Sequence, residues 1–69
     1  EYALRTALKI YNILGQEVVS LVDEPEESGY HTVTWDGKDY EGQDVSSGVY
    51  FYRLESGNFV ETKRMVLMR

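Results

Sequence analysis

Between Thr6 and Asn12, Leu8 and Ile10 fall on one face of an extended chain and Lys9 and Tyr11 on the other. A period of two marks a strand, because successive side chains on extended backbone point to opposite sides. Gln16–Val22 follows with Val18, Val19, Leu21 and Val22, a spacing that no single strand face accommodates. It predicts a strand that is apolar on both faces or bulged. A helix also fits the spacing, but the β-branched content just after Gly15 favours the strand. Asp23–Ser28 gathers four carboxylates around Pro25 and reads as a solvated connection. In Tyr30–Trp35, His31, Val33 and Trp35 alternate with Tyr30, Thr32 and Thr34, which predicts another strand. Asp36–Asp44 is polar, with Asp-Gly and Glu-Gly steps, and reads as a long turn. Val49–Glu55 is the plainest strand, Tyr50, Tyr52 and Leu54 lying opposite Val49, Phe51 and Arg53. Ser56-Gly57-Asn58 makes a tight hairpin turn. Phe59–Arg69 closes the chain, with Met65 and Leu67 on one side and Val66 and Met68 on the other.

Each glycine (Gly15, Gly29, Gly37, Gly42, Gly48 and Gly57) falls at a turn between these runs. Five strands, no helix and no internal repeat emerge, within one domain spanning residues 1–69. The expectation is all-β: a small immunoglobulin-like antiparallel sandwich of about five to seven short strands. A flat sheet leaves Trp35, Tyr50 and Leu67 without a facing layer.

Length sharpens that expectation. A chain of 69 residues buries only about 60% of the surface its unfolded form exposes. Domains this small usually add disulfides, a metal or a partner surface. Here there is no cysteine and a single histidine, so neither a disulfide nor an ordinary structural zinc site is open to it. The net charge of −5 and the scattered seven bases argue against nucleic acid and against an anionic membrane surface. No apolar run approaches the roughly 18 residues of a membrane span, and no signal-peptide pattern opens the chain. Glu1 stands inside a patterned segment, as in a piece of a longer protein or a mature fragment.

Catalytic chemistry finds little footing. No Gly-x-Ser-x-Gly elbow occurs; Ser47-Gly48 comes nearest and lacks the first glycine and the following helix. His31 shares a predicted strand face with Val33 and Trp35 and reads as a core-edge residue. Asp36, Asp39, Glu41 and Asp44 crowd one loop, which raises calcium, but Lys38 and Tyr40 occupy positions where an EF-hand needs ligands. Aspartates and glycines also serve turns for backbone reasons alone. Aromatic residues make 13% of the chain, and Phe51, Tyr11 or Tyr30 could form a glycan-stacking platform. Small sandwiches also need such rings for their cores and cross-strand pairs. No catalytic residue, cofactor or metal site is assigned.

Three strings carry a resemblance. Leu8-Lys9-Ile10-Tyr11-Asn12-Ile13-Leu14-Gly15-Gln16-Glu17-Val18 is the first. The second runs from Gly29-Tyr30-His31-Thr32-Val33-Thr34-Trp35-Asp36-Gly37-Lys38-Asp39 through Gly42 to Val45-Ser46-Ser47-Gly48-Val49-Tyr50-Phe51-Tyr52-Arg53-Leu54. The third is Lys63-Arg64-Met65-Val66-Leu67-Met68-Arg69. Together they resemble the type A C-terminal sorting domains of proteins exported by the bacterial type IX secretion system. They resemble as well the immunoglobulin-like domain of the flagellar hook-capping protein family. The resemblance covers nearly the whole chain and rests on the ordered set.

What it implies is recognition without catalysis. Gly15, Trp35, Asp36, Gly37, Gly48, Tyr50 and Tyr52 form the structural motif, with Gly15 at positive φ, Trp35 anchoring the core and Gly48 letting the chain pass close beneath a neighbour. The ending Lys63–Arg69 matches the sorting-tail pattern and is the candidate recognition tail. On that reading the domain directs a secreted passenger to the surface of a Gram-negative bacterium, its partners being outer-membrane secretion and attachment proteins. One departure is visible: Glu1-Tyr2-Ala3-Leu4 runs almost directly into Arg5-Thr6-Ala7, without the Asn-Pro opening usual in these families. A shortened first strand leaves an open sheet edge, which supports a second expectation. In it the chain is a structural or self-assembling extracellular subunit, its edge filled by a neighbouring copy.

Overall fold

A computed structural model describes residues 4–26 and 32–68, and in them the chain forms four strands. These are β1 (Leu4–Tyr11), β2 (Glu17–Glu26), β3 (Gly48–Ser56) and β4 (Phe59–Leu67). They make one antiparallel sheet in the order β2-β1-β3-β4. Among the described residues there is no helix.

The β1–β2 turn is built by Asn12. Its Oδ1 accepts the N–H groups of Leu14 and Gln16 at 2.9 and 3.0 Å, while Gly15, at φ +81°, donates to the Asn12 carbonyl. The short amide side chain thus supplies the acceptor that the turning backbone lacks. Two register shifts follow: β2 places two residues against one of β1 at Val18 and again at Leu21. These bulges resolve the crowded Val18–Val22 pattern, letting an aperiodic apolar run serve a one-sided core.

Two expectations are corrected. Of the solvated connection expected over Asp23–Ser28, Glu27 and Ser28 lie outside the described residues. Asp23, Glu24 and Pro25 are exposed, but Asp23–Glu26 continues β2 and pairs with Leu4–Ala7. Pro25 is tolerated there because β2 is an edge strand, where a missing N–H costs no ladder bond. Arg5 holds Asp23 at 2.8 Å across the pair. The strand expected over Tyr30–Trp35 is absent from its described part: Thr32–Asp36 is irregular, with Thr32, Val33 and Thr34 exposed. Of the alternating apolar positions only Trp35 packs against the core, while Val33 stays exposed, so the alternation here reports no ladder. Tyr30 and His31 lie outside the described residues. The chain accordingly is not a simple run of hairpins, since β3 pairs with the far side of β1 after the long connection from β2.

The core sits where that connection crosses one sheet face. Ile10, Val18 and Tyr50 are buried, with Val19, Leu21, Trp35, Val45, Tyr52, Met65 and Leu67 packed partly against them. Trp35 meets Tyr50 edge-on, ring centres 5.2 Å apart at 71°, a geometry favoured by the ring quadrupoles. Its Nε1 donates to the Lys38 carbonyl at 3.0 Å, and Tyr50 Oη donates to the Ser46 carbonyl at 2.7 Å. Gly48 enters β3 at φ +149°, a conformation closed to other residues. The close approach expected there is not the reason for glycine: a Cβ at Gly48 meets nothing within 4 Å.

Candidate interaction surface at the β4 edge

An antiparallel sheet of four strands has two edges, and here they differ in kind. The β2 edge is obstructed at several levels. It carries both bulges, Pro25 and four acids, and the N–H of Tyr40 already bonds the Val18 carbonyl at 3.1 Å. Bulges, proline, charge and loop cover are the devices by which proteins blunt an edge against added strands.

The β4 edge carries charge at Glu61, Lys63 and Arg64 but, among the described residues, no bulge, no proline and no covering loop. Its nine residues pair with β3 in unbroken register from Ser56–Phe59 to Gly48–Leu67. The connecting turn has Gly57 at φ +60° followed by Asn58 at negative φ, which is type II′ and matches strand twist. Such a two-residue turn is closed by hydrogen bonds between its flanking residues, Ser56 and Phe59. Alternation from that pair turns the N–H and C=O groups of Phe59, Glu61, Lys63, Met65 and Leu67 toward β3. Those of Val60, Thr62, Arg64 and Val66 point outward, and among the described residues no strand pairs with them.

Side chains on β4 divide by face. Met65 and Leu67 pack toward the core. Glu61 and Lys63 share that face beyond the covered half, joined at 3.0 Å. On the opposite face Val66 stands against Val49 and Arg64 against Phe51. Val66 is 62% and Val60 52% exposed. Phe51 also lies beside Tyr11, so two of the three rings considered for glycan stacking are neighbours on the uncovered face; Tyr30 lies outside the described residues.

The candidate recognition tail therefore falls on this edge strand. Lys63, Arg64, Met65, Val66 and Leu67 belong to β4, Met68 follows it exposed, and Arg69 lies outside the described residues. Most of the structural motif gathers in and around the core. Trp35, Tyr50 and Tyr52 contribute to the core, Gly37 is buried, and Asp36 Oδ1 accepts the Lys38 N–H at 3.2 Å. Gly15 stands apart in the β1–β2 turn.

Three of the four carboxylates considered for calcium, those of Asp36, Asp39 and Asp44, are engaged within their own loop. Asp39 Oδ1 accepts the N–H groups of Glu41 and Gln43 at 2.9 and 3.0 Å, and Asp44 pairs with Lys38 Nζ at 2.8 Å. Among the described residues no three acidic or histidine side chains converge to hold a metal. Tyr40 Oη donates to Glu17 Oε2, and that hydrogen bond to a carboxylate pushes the phenol up to about 12. Asn12 and the bulged Val18 were not singled out by sequence reasoning. An Asn three residues before Gly15 is a signal that could have found the first, and for the second the crowded Val18–Val22 run signals a bulge without fixing its position.

The family model described as FlgD Ig-like domain matches residues 1–59. It carries the hook-capping half of the resemblance and not the type IX sorting half. No curated protein and no solved structure matches the chain.

Proposed function

The chain belongs to the FlgD Ig-like domain family, and on that premise we propose that it is a non-catalytic structural module. It joins its chain to a neighbouring chain by strand addition at β4, in an extracellular assembly of the hook-cap kind. Whole, the domain is an immunoglobulin-like sandwich. The observation that carries the reading is the contrast of edges: β2 is bulged, prolyl, acidic and covered, while β4 is regular and open. Strand addition draws affinity from main-chain bonds and specificity from alternate side chains, and β4 offers both. Polar groups elsewhere serve turns and surface ion pairs, which supports binding over chemistry. The test is a photo-crosslinking residue at Thr62, installed in the parent protein in its own cells. Adducts to an assembly neighbour are expected at Thr62 and not at Glu24 on β2. No adduct at Thr62 removes the proposal.

A second reading keeps the domain as a type IX sorting signal recognised by outer-membrane secretion and attachment proteins. One observation favours it: Val60–Met68, which holds the basic-then-alternating tail, lies beyond the span that the family model matches. Deleting Met65–Arg69 from the parent then strands its passenger in the periplasm. Normal export after the deletion rules the reading out.

A further inference from the structure

We infer that the strand added to β4 is β4 of a second copy, paired antiparallel about a two-fold axis through Thr62. The inference rests on the strand-addition reading above and names its partner and register.

Geometry restricts the choices first. In an antiparallel pair, residues with outward N–H and C=O groups must face one another to exchange hydrogen bonds. On β4 these are Val60, Thr62, Arg64 and Val66, so a symmetric pairing centres on a residue and never between two. Charge then separates the candidates. Centring on Lys63 sets two ammonium groups opposite each other, centring on Glu61 two carboxylates, and centring on Arg64 two guanidinium groups. Like charges directly opposite destabilise a sheet. Centring on Thr62 places Glu61 of each copy against Lys63 of the other, so one symmetric contact supplies two opposite-charge pairs.

The rest of the strand agrees with that register. Thr62 faces Thr62, a favourable cross-strand pair. Phe59, itself 53% exposed, faces Met65 of the other copy, and Val60 faces Arg64. Glu61 and Lys63 occupy non-hydrogen-bonded positions, where side chains on opposing strands come closest. Both are already held extended along the strand by their mutual contact at 3.0 Å, so little ordering remains when a second copy arrives. A two-fold contact is self-complementary and closes, leaving the obstructed β2 at each outer edge of a continuous sheet of eight described strands.

Glu61→Lys and Lys63→Glu test the pairing without touching the core. In sedimentation velocity, the wild-type chain associates to a dimer at high micromolar concentration. Each variant alone sediments as a monomer, because each self-pairing now opposes like charges. An equimolar mixture dimerises again, because both cross-strand pairs are then opposite in sign. Circular dichroism confirms that each variant retains its β signal. A monomeric wild type, or a mixture of folded variants that stays monomeric, overturns the inference. Register is read separately in a chain with no native cysteine: with oxidised glutathione, Thr62→Cys forms a disulfide-linked dimer and Lys63→Cys does not. The reverse pattern overturns the Thr62 axis. If these fail while Thr62 still photo-crosslinks to a different protein, the second copy is wrong and strand addition stands. If both fail, the strand-addition reading falls with it.

Discussion

At the scale of single residues, the structure turns on side chains that stand in for missing backbone partners. Asn12 and Asp39 each present one oxygen to two N–H groups, and Tyr50 carries its hydroxyl from a buried ring to the Ser46 carbonyl. Tyr50→Phe keeps the ring against Trp35 and removes only that bond. It should lower unfolding free energy by about 1 kcal/mol in urea titration, near the net value of one hydrogen bond. A loss several times larger means that the hydroxyl also orders the segment before β3. Tyr40 gives a pH signature. Its phenol is raised from 10.0 to about 12 by Glu17, so the fold favours the neutral form. That contribution is complete below pH 10 and fades as pH climbs to about 12. Tyrosinate absorbance should show one phenol titrating late, and Glu17→Gln should return it toward 10.

At the scale of elements, the alternation argument locates hydrogen bonds as well as side chains. Lys63 turns its N–H toward β3 and Thr62 turns its own outward. Lys63→Pro should therefore destabilise the isolated chain more than Thr62→Pro, by about the 1 kcal/mol of one ladder bond. Equal losses in chemical denaturation contradict the assigned facing. The strands most legible in the sequence, β1, β3 and β4, are those with strict period two. β2 was legible only as an ambiguity, because its bulges shift the face of every residue beyond them. The 32–36 segment alternates without pairing, and only tertiary structure separates a strand from a chain laid across a sheet. Of the candidate surface, the sequence pattern placed Lys63–Met68 on a closing strand. It could not show that this strand lies at an edge, which depends on β3 pairing with β1 across the long connection.

At the scale of the whole molecule, the sheet is long and its core short. The described residues extend 40 × 19 × 18 Å, yet only Ile10, Val18 and Tyr50 are buried hydrophobic residues. The connection over the sheet covers the end that holds Tyr50, Met65 and Leu67. At the other end Thr6 and Ser56 meet hydroxyl to hydroxyl at 3.2 Å between neighbouring strands. With no cysteine to brace it, such a domain gains stability from whatever binds its folded form alone. Pairing through β4 supplies that gain by mass action, so folding and assembly become one equilibrium. Thermal midpoints of the wild-type chain should then rise by about 3–5 °C per tenfold increase in concentration once the dimer dominates. Glu61→Lys, which keeps every contact of the monomer's core, should melt at one temperature across the same range. A wild-type midpoint that ignores concentration shows the sheet to be complete in a single chain, with its open edge held for some other strand.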